Sequence, residues 1–471
     1  MATERSTPSQ PPSRRTRRFT DHPGRLGDLA PIFERRRIAV GTDGNGHVVL
    51  ARPASFVVDG RDQDRRQDIL ELIGRIDTDN GNVEERLEAR TTGMLTVDVP
   101  SEPIEIGGER RWSVDRAAEY VGRFAEAGIA ADLRHVFLGA QSVVPKLVGA
   151  SATWAGEMAF TGVTSDGTAN GETVMLTTAE PAIEPAFLRE PLNLPGRDRP
   201  RVLILDTGLR TAGGAGQVPE HPELARDDLH VVVHDDWRND PDIDAYDDED
   251  EPDDDGSGTL DFEAGHGTFI AGVVRQVCPD AEIHSAGVLS SFGEGDTSQM
   301  LATLARAASR GPYDIVVLSF GAFFVDDDPG VFGSCLTELL GDTVAVAAAG
   351  NQQTARPYFP AALPGIIGVG ALDAAGRAWF SNFGGWVDAC APAVDVISTY
   401  FDEFTEVLDQ QPRRQFRRWA RWSGTSFSAP KVAGAIANEM YLNGGSARQA
   451  WRRLSSPEHL RCPDLGVVVN V

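Results

Sequence analysis

The sequence predicts an α/β fold over residues 201–471, a doubly wound, mostly parallel sheet with helices on both faces, preceded by a smaller α+β N-terminal domain. Three observations carry this. From residue 201 onward, short runs that are apolar at nearly every position (202–205, 315–319, 343–348, 366–369) alternate with helical stretches, as strands buried on both faces do. Residues 41–180 mix strand-like runs (47–52, 54–58, 94–99 and the alternating 131–138) with helical spacing at 62–76 and 113–127. Residues 181–200 carry many prolines and no period, as a linker does. Residues 1–40 are polar, with Pro, Ser and Arg and no apolar period, and are expected to be a disordered tail.

Composition narrows the function. A chain of 471 residues exceeds one ordinary core, which fits two domains. A formal net charge of −26 speaks against nucleic acid as partner and favours cationic substrates. No run approaches the roughly 20 apolar residues of a membrane span. The Arg14-Arg15 and Arg17-Arg18 pairs are not followed by an apolar stretch, so the expected location is cytoplasmic. Cys278, Cys335, Cys390 and Cys462 include no CxxC pair and are expected as buried free thiols, not a disulfide framework or zinc site.

The chemistry lies in four short segments. Residues 202–205 run into Asp206-Thr207-Gly208, a carboxylate at the carboxyl end of a buried strand, where open α/β sheets build their sites; alone, DTG also resembles an aspartic protease or a strand-end cap. Gly265-His266-Gly267-Thr268 opens a helical stretch, with glycines that let backbone pass close to an imidazole that is either a base or a structural ring. Gly424-Thr425-Ser426-Phe427-Ser428-Ala429-Pro430 reads as the start of a helix, with Pro430 expected in its first turn and Ser426 either a nucleophile at the positive helix end or an N-cap. Strand 343–348 runs on to Gly350-Asn351, an amide donor or an ordinary turn. The joint order of acid, base, amide donor and nucleophile favours acyl transfer.

Together with LSFG at 318–321 and FPAALPGIIGVGA at 359–371, these motifs resemble the subtilisin-like (subtilase) serine proteases over residues 200–471. The resemblance implies a serine endopeptidase acting through an acyl-enzyme. Ser426 would be the nucleophile, His266 the general base and Asp206 its orienting partner, with Asn351 sharing the oxyanion with the Ser426 N–H. Ser319, Phe320 and Gly321 would pair with a peptide or protein substrate as an added strand, with Gly350 lining a side-chain pocket. No organic cofactor and no metal ligand are implied. His266 and Asn351 exclude the sedolisins, which carry glutamate and aspartate there. Other readings are an inert scaffold that binds peptides, and a maturation protease with one dedicated substrate.

Three regions depart from the family pattern. After Gly272 the chain runs almost directly into the next strand, where many members hold a calcium loop. Residues 240–255 hold eleven acids in sixteen positions, expected as a solvated run, a calcium site or a gate for basic substrates. Residues 401–422 interleave Arg413, Arg414, Arg417, Arg418 and Arg421 with Phe416, Trp419 and Trp422, expected to touch the acidic run or the leaving-group side of a substrate. Residues 41–180 fit either a propeptide covering the active-site cleft or a permanent recognition domain.

Overall fold

A computed structural model of the chain describes residues 20–21, 26, 29–61, 65–76, 92–99, 101–139, 177–178, 189–212, 218–234, 250, 252–253, 258, 260–261, 263–408 and 411–471. The N-terminal unit contains α1 (Leu29–Arg35), β1 (Ala39–Thr42), β2 (Val48–Asp59), α2 (Arg66–Ile76), β3 (Met94–Asp98), α3 (Asp115–Glu126) and β4 (Ala131–Gly139). Its sheet is antiparallel, with β2 between β1 and β4 and also paired with β3. Ile69 and Ile73 of α2 and Tyr120, Val121 and Phe124 of α3 bury one face against Phe56, Val58 and Leu133. The opposite face, through Val57, Met94 and Phe137, joins the core of the second unit.

Two expectations change here. The tail expected over residues 1–40 is folded over its described part. Thr20–Asp21 pairs with Gly41 and Thr42, and Leu26, Ala30 and Phe33 are buried against Ile38, Val40 and Val136. Ala30 and Phe33, three apart on α1, form one buried face that the surrounding arginines and prolines mask in the sequence, and Leu26 joins it from outside the helix. The two strands expected at 47–52 and 54–58 are one strand, whose register on β4 shifts between Ala51 and Phe56. Pro53 lies inside that shift; lacking an N–H, it interrupts the ladder without ending the extended chain.

The second unit contains β5 (Arg201–Asp206), β6 (His230–His234), α4 (His266–Val277), β7 (Glu282–Gly287), β8 (Glu294–Asp296), α5 (Thr297–Ser309), β9 (Ile315–Leu318), β10 (Phe320–Gly321), α6 (Gly330–Leu340), β11 (Val344–Ala348), β12 (Ile367–Asp373), β13 (Ala389–Pro392), β14 (Val396–Thr399), β15 (Phe404–Leu408), β16 (Gln411–Phe416), β17 (Trp419–Trp422), α7 (Thr425–Asn443), α8 (Ala447–Leu454) and β18 (Gly466–Val468). The main sheet runs β6-β7-β5-β9-β11-β12-β13-β18 in parallel, with the short strands Gly376–Arg377 and Arg461–Cys462 added antiparallel on β12 and β18. Alternation along β5 shows the double winding. Val202 and Ile204 face Phe269, Val273 and Ile436 of α4 and α7, while Leu203 and Leu205 face Met300, Leu304 and Leu336 of α5 and α6. Residues 202–205 of β5 are therefore buried on both faces, which is why that run lacks polar positions.

The expected linker is anchored over residues 189–200. Leu192 and Asn193 donate backbone N–H groups to the Asp280 carboxylate at 2.9 and 2.8 Å, and Leu194 N donates to Tyr441 Oη at 2.6 Å. Cys278, Cys335 and Cys390 are buried free thiols, and Cys462 is half-buried. Among the described residues no helix is long and apolar enough to cross a membrane.

The two units join through β4, which pairs antiparallel with β8 and with β10. Beside the seam, Arg134 makes two bonds to Asp296, at 2.7 and 2.8 Å, and Arg52 adds a third at 3.3 Å. Burial alone would raise the Asp296 carboxyl, but Arg134 and Arg52 outweigh it and hold the group at about 2. Asp296 also caps α5, accepting from Ser298 N and Gln299 N. Arg134→Ala leaves this buried carboxylate undercompensated. The expected cost is about 3 kcal/mol, measured as roughly 100-fold faster hydrogen exchange of the β4 amides.

Candidate active site

Asp206, His266, Ser319, Asn351 and Ser426 converge at the carboxyl ends of the central strands, and all are buried. Asp206 is the last residue of β5. Its Oδ1 lies 2.7 Å from His266 Nδ1 and accepts from Thr207 N at 2.8 Å. His266 is the first residue of α4 and follows Gly265, whose φ of +79° is a conformation that glycine takes without steric cost. Gly267 brings the backbone onto β5: its N–H donates to Thr207 Oγ1 at 2.9 Å, and a Cβ there would strike the Gly208 carbonyl.

Ser426 occupies the second position of α7, and the His266 ring lies 5.5 Å from that of the next residue, Phe427. Pro430, expected in the first helical turn, falls in the second. A residue there would normally donate its N–H to the Ser426 carbonyl; proline cannot. Ser319 Oγ donates to that carbonyl instead, at 3.0 Å, and Ser426 Oγ donates back to Ser319 O at 3.3 Å. Proline in the second turn thus couples the helix to the end of β9.

Thr425 orients the amide donor. Asn351 Oδ1 accepts from Thr425 N at 3.0 Å and Thr425 Oγ1 at 2.9 Å, which fixes Nδ2 as the group directed elsewhere. Gly350 N donates to Thr425 Oγ1 at 3.0 Å. Gly350 has φ +95°, and a Cβ there would stand 2.6 Å from both Asn382 Nδ2 and Gln352 Oε1. Phe320 and Gly321 form β10, pairing with Gly139 and Leu138 of β4. The expected edge therefore carries an antiparallel strand supplied by the chain itself.

Two buried carboxyls beside His266 escape sequence reasoning. Glu263 Oε2 lies 3.7 Å from His266 Nε2. It stands three residues before the histidine, within reach of a motif-based search. Asp250 accepts from Gly265 N at 2.7 Å and from Thr268 Oγ1 at 3.3 Å, and burial drives its carboxyl up to about 8. It belongs to the acidic run, where nothing distinguishes it from its ten acidic companions. Of that run only Asp250, Pro252 and Asp253 are among the described residues, so the calcium and gating expectations lie outside them. Burial disfavours the His266 imidazolium, but Asp206 and Glu263 outweigh it and raise the ring to about 9.

The Arg- and aromatic-rich segment is anchored by its rings. Phe416, Trp419 and Trp422 are buried, with Trp422 edge-on to the His266 ring at 5.3 Å and Phe416 against Tyr400 at 4.9 Å. Phe416 and Trp422 join the core around the histidine, and Trp419 stands edge-on to His221 at 4.9 Å, so the rings are buried for their large apolar area. Arg418 is paired with Asp402 at 2.6 Å. The hairpin of β15 and β16 reaches Gly258, three residues past the acidic run, where Val407 N donates to Gly258 O at 2.7 Å. The side chains of residues 413 and 414 lie outside the described residues.

The site thus sets a buried Asp–His pair at strand and helix ends beside a helix that carries a buried serine in its first turn. The sequence profile described as the subtilase family matches residues 198–454. The chain belongs to the subtilase family. It is 31% identical over 192 residues to a thermophilic serine proteinase of Bacillus sp. (strain AK1), covering 36% of this chain and 41% of that one. It is 30% identical over 202 residues to Proteinase R of Parengyodontium album, covering 41% and 48%, and 31% identical over 213 residues to Subtilisin DY of Bacillus licheniformis, covering 41% and 69%. The chain thus spans under half the length of the first two relatives. A crystal structure of a cold adapted subtilisin-like serine proteinase aligns at 23% identity with a TM-score of 0.41, covering 55% of this chain and 82% of that one.

Proposed function

We propose that this chain is a serine endopeptidase that hydrolyses peptide bonds through an acyl-enzyme. The observation that carries the proposal is the 2.7 Å Asp206–His266 contact through Nδ1, which reserves Nε2 for a proton from Ser426. Ser426 Oγ turns from Ser319 O to His266 Nε2 and attacks the carbonyl carbon. His266 takes the proton and returns it to the leaving amine, while Asp206 stabilises the imidazolium. Asn351 Nδ2 and the Ser426 N–H, at the positive end of α7, hold the oxyanion. The substrate joins β10 as an antiparallel strand, so its backbone supplies affinity and its side chains supply selectivity.

Labelling with a fluorophosphonate probe tests the reading, because only an activated serine reacts; an unlabelled protein would favour the inert peptide-binding scaffold. Asn351→Ala is expected to lower kcat about 10²- to 10³-fold with KM little changed. That size is the one known for removing an oxyanion donor from a subtilisin and is not obtained from this geometry. A change confined to KM would show that Asn351 only shapes the cleft.

The N-terminal unit acts as a restraint on the same site. Its β4 occupies the edge that substrate needs, and the residues beneath it are shut off from water. If this is its role, Arg134→Ala, by loosening β4, raises the initial rate of peptide hydrolysis by the full chain. An unchanged initial rate with faster β4 exchange would leave recognition as the unit's role.

A further inference from the structure

β4 lies in the cleft as a peptide strand would. Glu294 stands opposite Leu138, Gly295 opposite Phe137 and Asp296 opposite Val136 on one side, while Phe320 stands opposite Gly139 and Gly321 opposite Leu138 on the other. Gly139 N donates to Gly293 O at 2.7 Å, completing the seat. A strand continuing in this register by one residue stands against Ser319, the residue bonded to Ser426 in both directions. On the endopeptidase reading the bond cut follows the residue opposite Ser319, because Ser319 is the edge residue bonded to Ser426, and the position held by Gly139 is then the second before the cut.

At that position there is no room for a side chain. A Cβ built on Gly139 would stand 2.7 Å from Glu263 Cδ, 2.8 Å from Oε1 and 3.1 Å from Cγ. Atoms do not approach so closely, so either Glu263 moves or the strand does. Glu263 is held from several sides: its N–H donates to Ser291 O at 2.8 Å, its carbonyl accepts from His266 N at 2.9 Å, and its side chain is packed against Gly293. Gly293 has φ +85°, and a Cβ there would overlap Glu263 Cγ. The carboxylate is thus wedged between two glycines, one belonging to the cleft wall and one to the seated strand, and it is fully buried.

We infer that Glu263 is a specificity-determining residue: its side chain fills the space that a substrate side chain would need opposite Phe320, so the cleft selects peptides with glycine at the second position before the cut. This inference rests on the endopeptidase reading. It names the substrate class by sterics, and it differs from attraction of a cation by the Glu263 charge, which would favour lysine at the same position.

The experiment uses the full-chain protein, incubated until hydrolysis is steady, and three internally quenched peptides that span residues 136–143 and carry Gly, Ala or Lys at the position of Gly139. The expected kcat/KM for Gly exceeds that for Ala by about 10- to 100-fold, the range one misplaced methyl produces in a tight pocket. Glu263→Ala brings the Gly/Ala ratio to within about twofold. Glu263→Gln, which has the same shape without the charge, retains it. Taking ratios within each enzyme cancels any effect of Glu263 on His266. A Gly/Ala ratio near one in the unmodified enzyme, a ratio unmoved by Glu263→Ala, or a preference for Lys would overturn the inference. Absence of both hydrolysis and fluorophosphonate labelling would sink the endopeptidase reading and the specificity with it.

A second measurement reads the same wedge without catalysis. In full-chain Ser426→Ala, adding Gly139→Ala should speed hydrogen exchange over residues 136–139 by at least tenfold, and adding Glu263→Ala as well should restore protection. If Gly139→Ala leaves exchange unchanged, Glu263 does not fill that space tightly enough to select anything.

Discussion

Ser426→Ala is expected to reduce kcat for peptide hydrolysis by about 10⁶-fold, leaving only the background that binding and oxyanion stabilisation supply; the figure is the one known for the subtilisin nucleophile. The size follows from loss of the covalent route: without Oγ no acyl-enzyme forms, and water must attack unaided. The side chain is small and its local bond is long, 3.3 Å to Ser319 O, so the fold should tolerate the change. The variant should keep its circular dichroism spectrum and lose fluorophosphonate labelling. Turnover that survives the substitution would end the acyl-enzyme proposal.

Asp206→Asn is expected to cost about 10⁴-fold in kcat, the order seen when the triad carboxylate of a serine protease is neutralised. Two effects combine. The amide offers an N–H as well as an oxygen toward Nδ1, favouring the wrong imidazole tautomer, and the charge that stabilises the imidazolium disappears. The pH profile separates this from a structural lesion. Asp206 and Glu263 raise the His266 ring to about 9 against the opposing effect of burial, so removing one of those charges lowers the ring's affinity for a proton. The limb of kcat/KM that reports His266 ionisation should therefore move to lower pH in the variant. A loss of rate with that limb unmoved would mean that Asp206 acts on the fold and not on the imidazole.

These two substitutions rest on residues that sequence alone picked out, and the reason is local. Asp206 ends an apolar run, His266 sits between glycines, and Ser426 precedes a proline at fixed spacing; each signal is contained in a few consecutive positions. The main-sheet strands were legible for the same reason, since a strand buried on both faces must be apolar throughout. Observed strands β5, β9, β11 and β12 overlap the expected runs, differing at their ends where strand gives way to loop.

Several features required the tertiary structure because their cause is non-local. The folded stretch around α1 depends on Val136, more than a hundred residues away, to cover Ala30 and Phe33. The burial of Trp422 and Phe416 depends on partners such as His266 and Tyr400, which no pattern within 401–422 can reveal. Asp250 matters because the chain returns it to the Gly265 N–H, a placement that distinguishes it from acids identical in sequence context. The role of Pro430 lies in the Ser426 carbonyl that it leaves open for Ser319, which is 107 residues from Ser426 in the chain. Sequence by itself determined the sheet class, the family resemblance and the candidate Asp, His, Asn and Ser, because short-range spacing encodes them. Only the tertiary structure decided that β4 lies in the cleft and that Glu263 fills the space beside Gly139, because shape complementarity between distant segments has no signature in either segment alone.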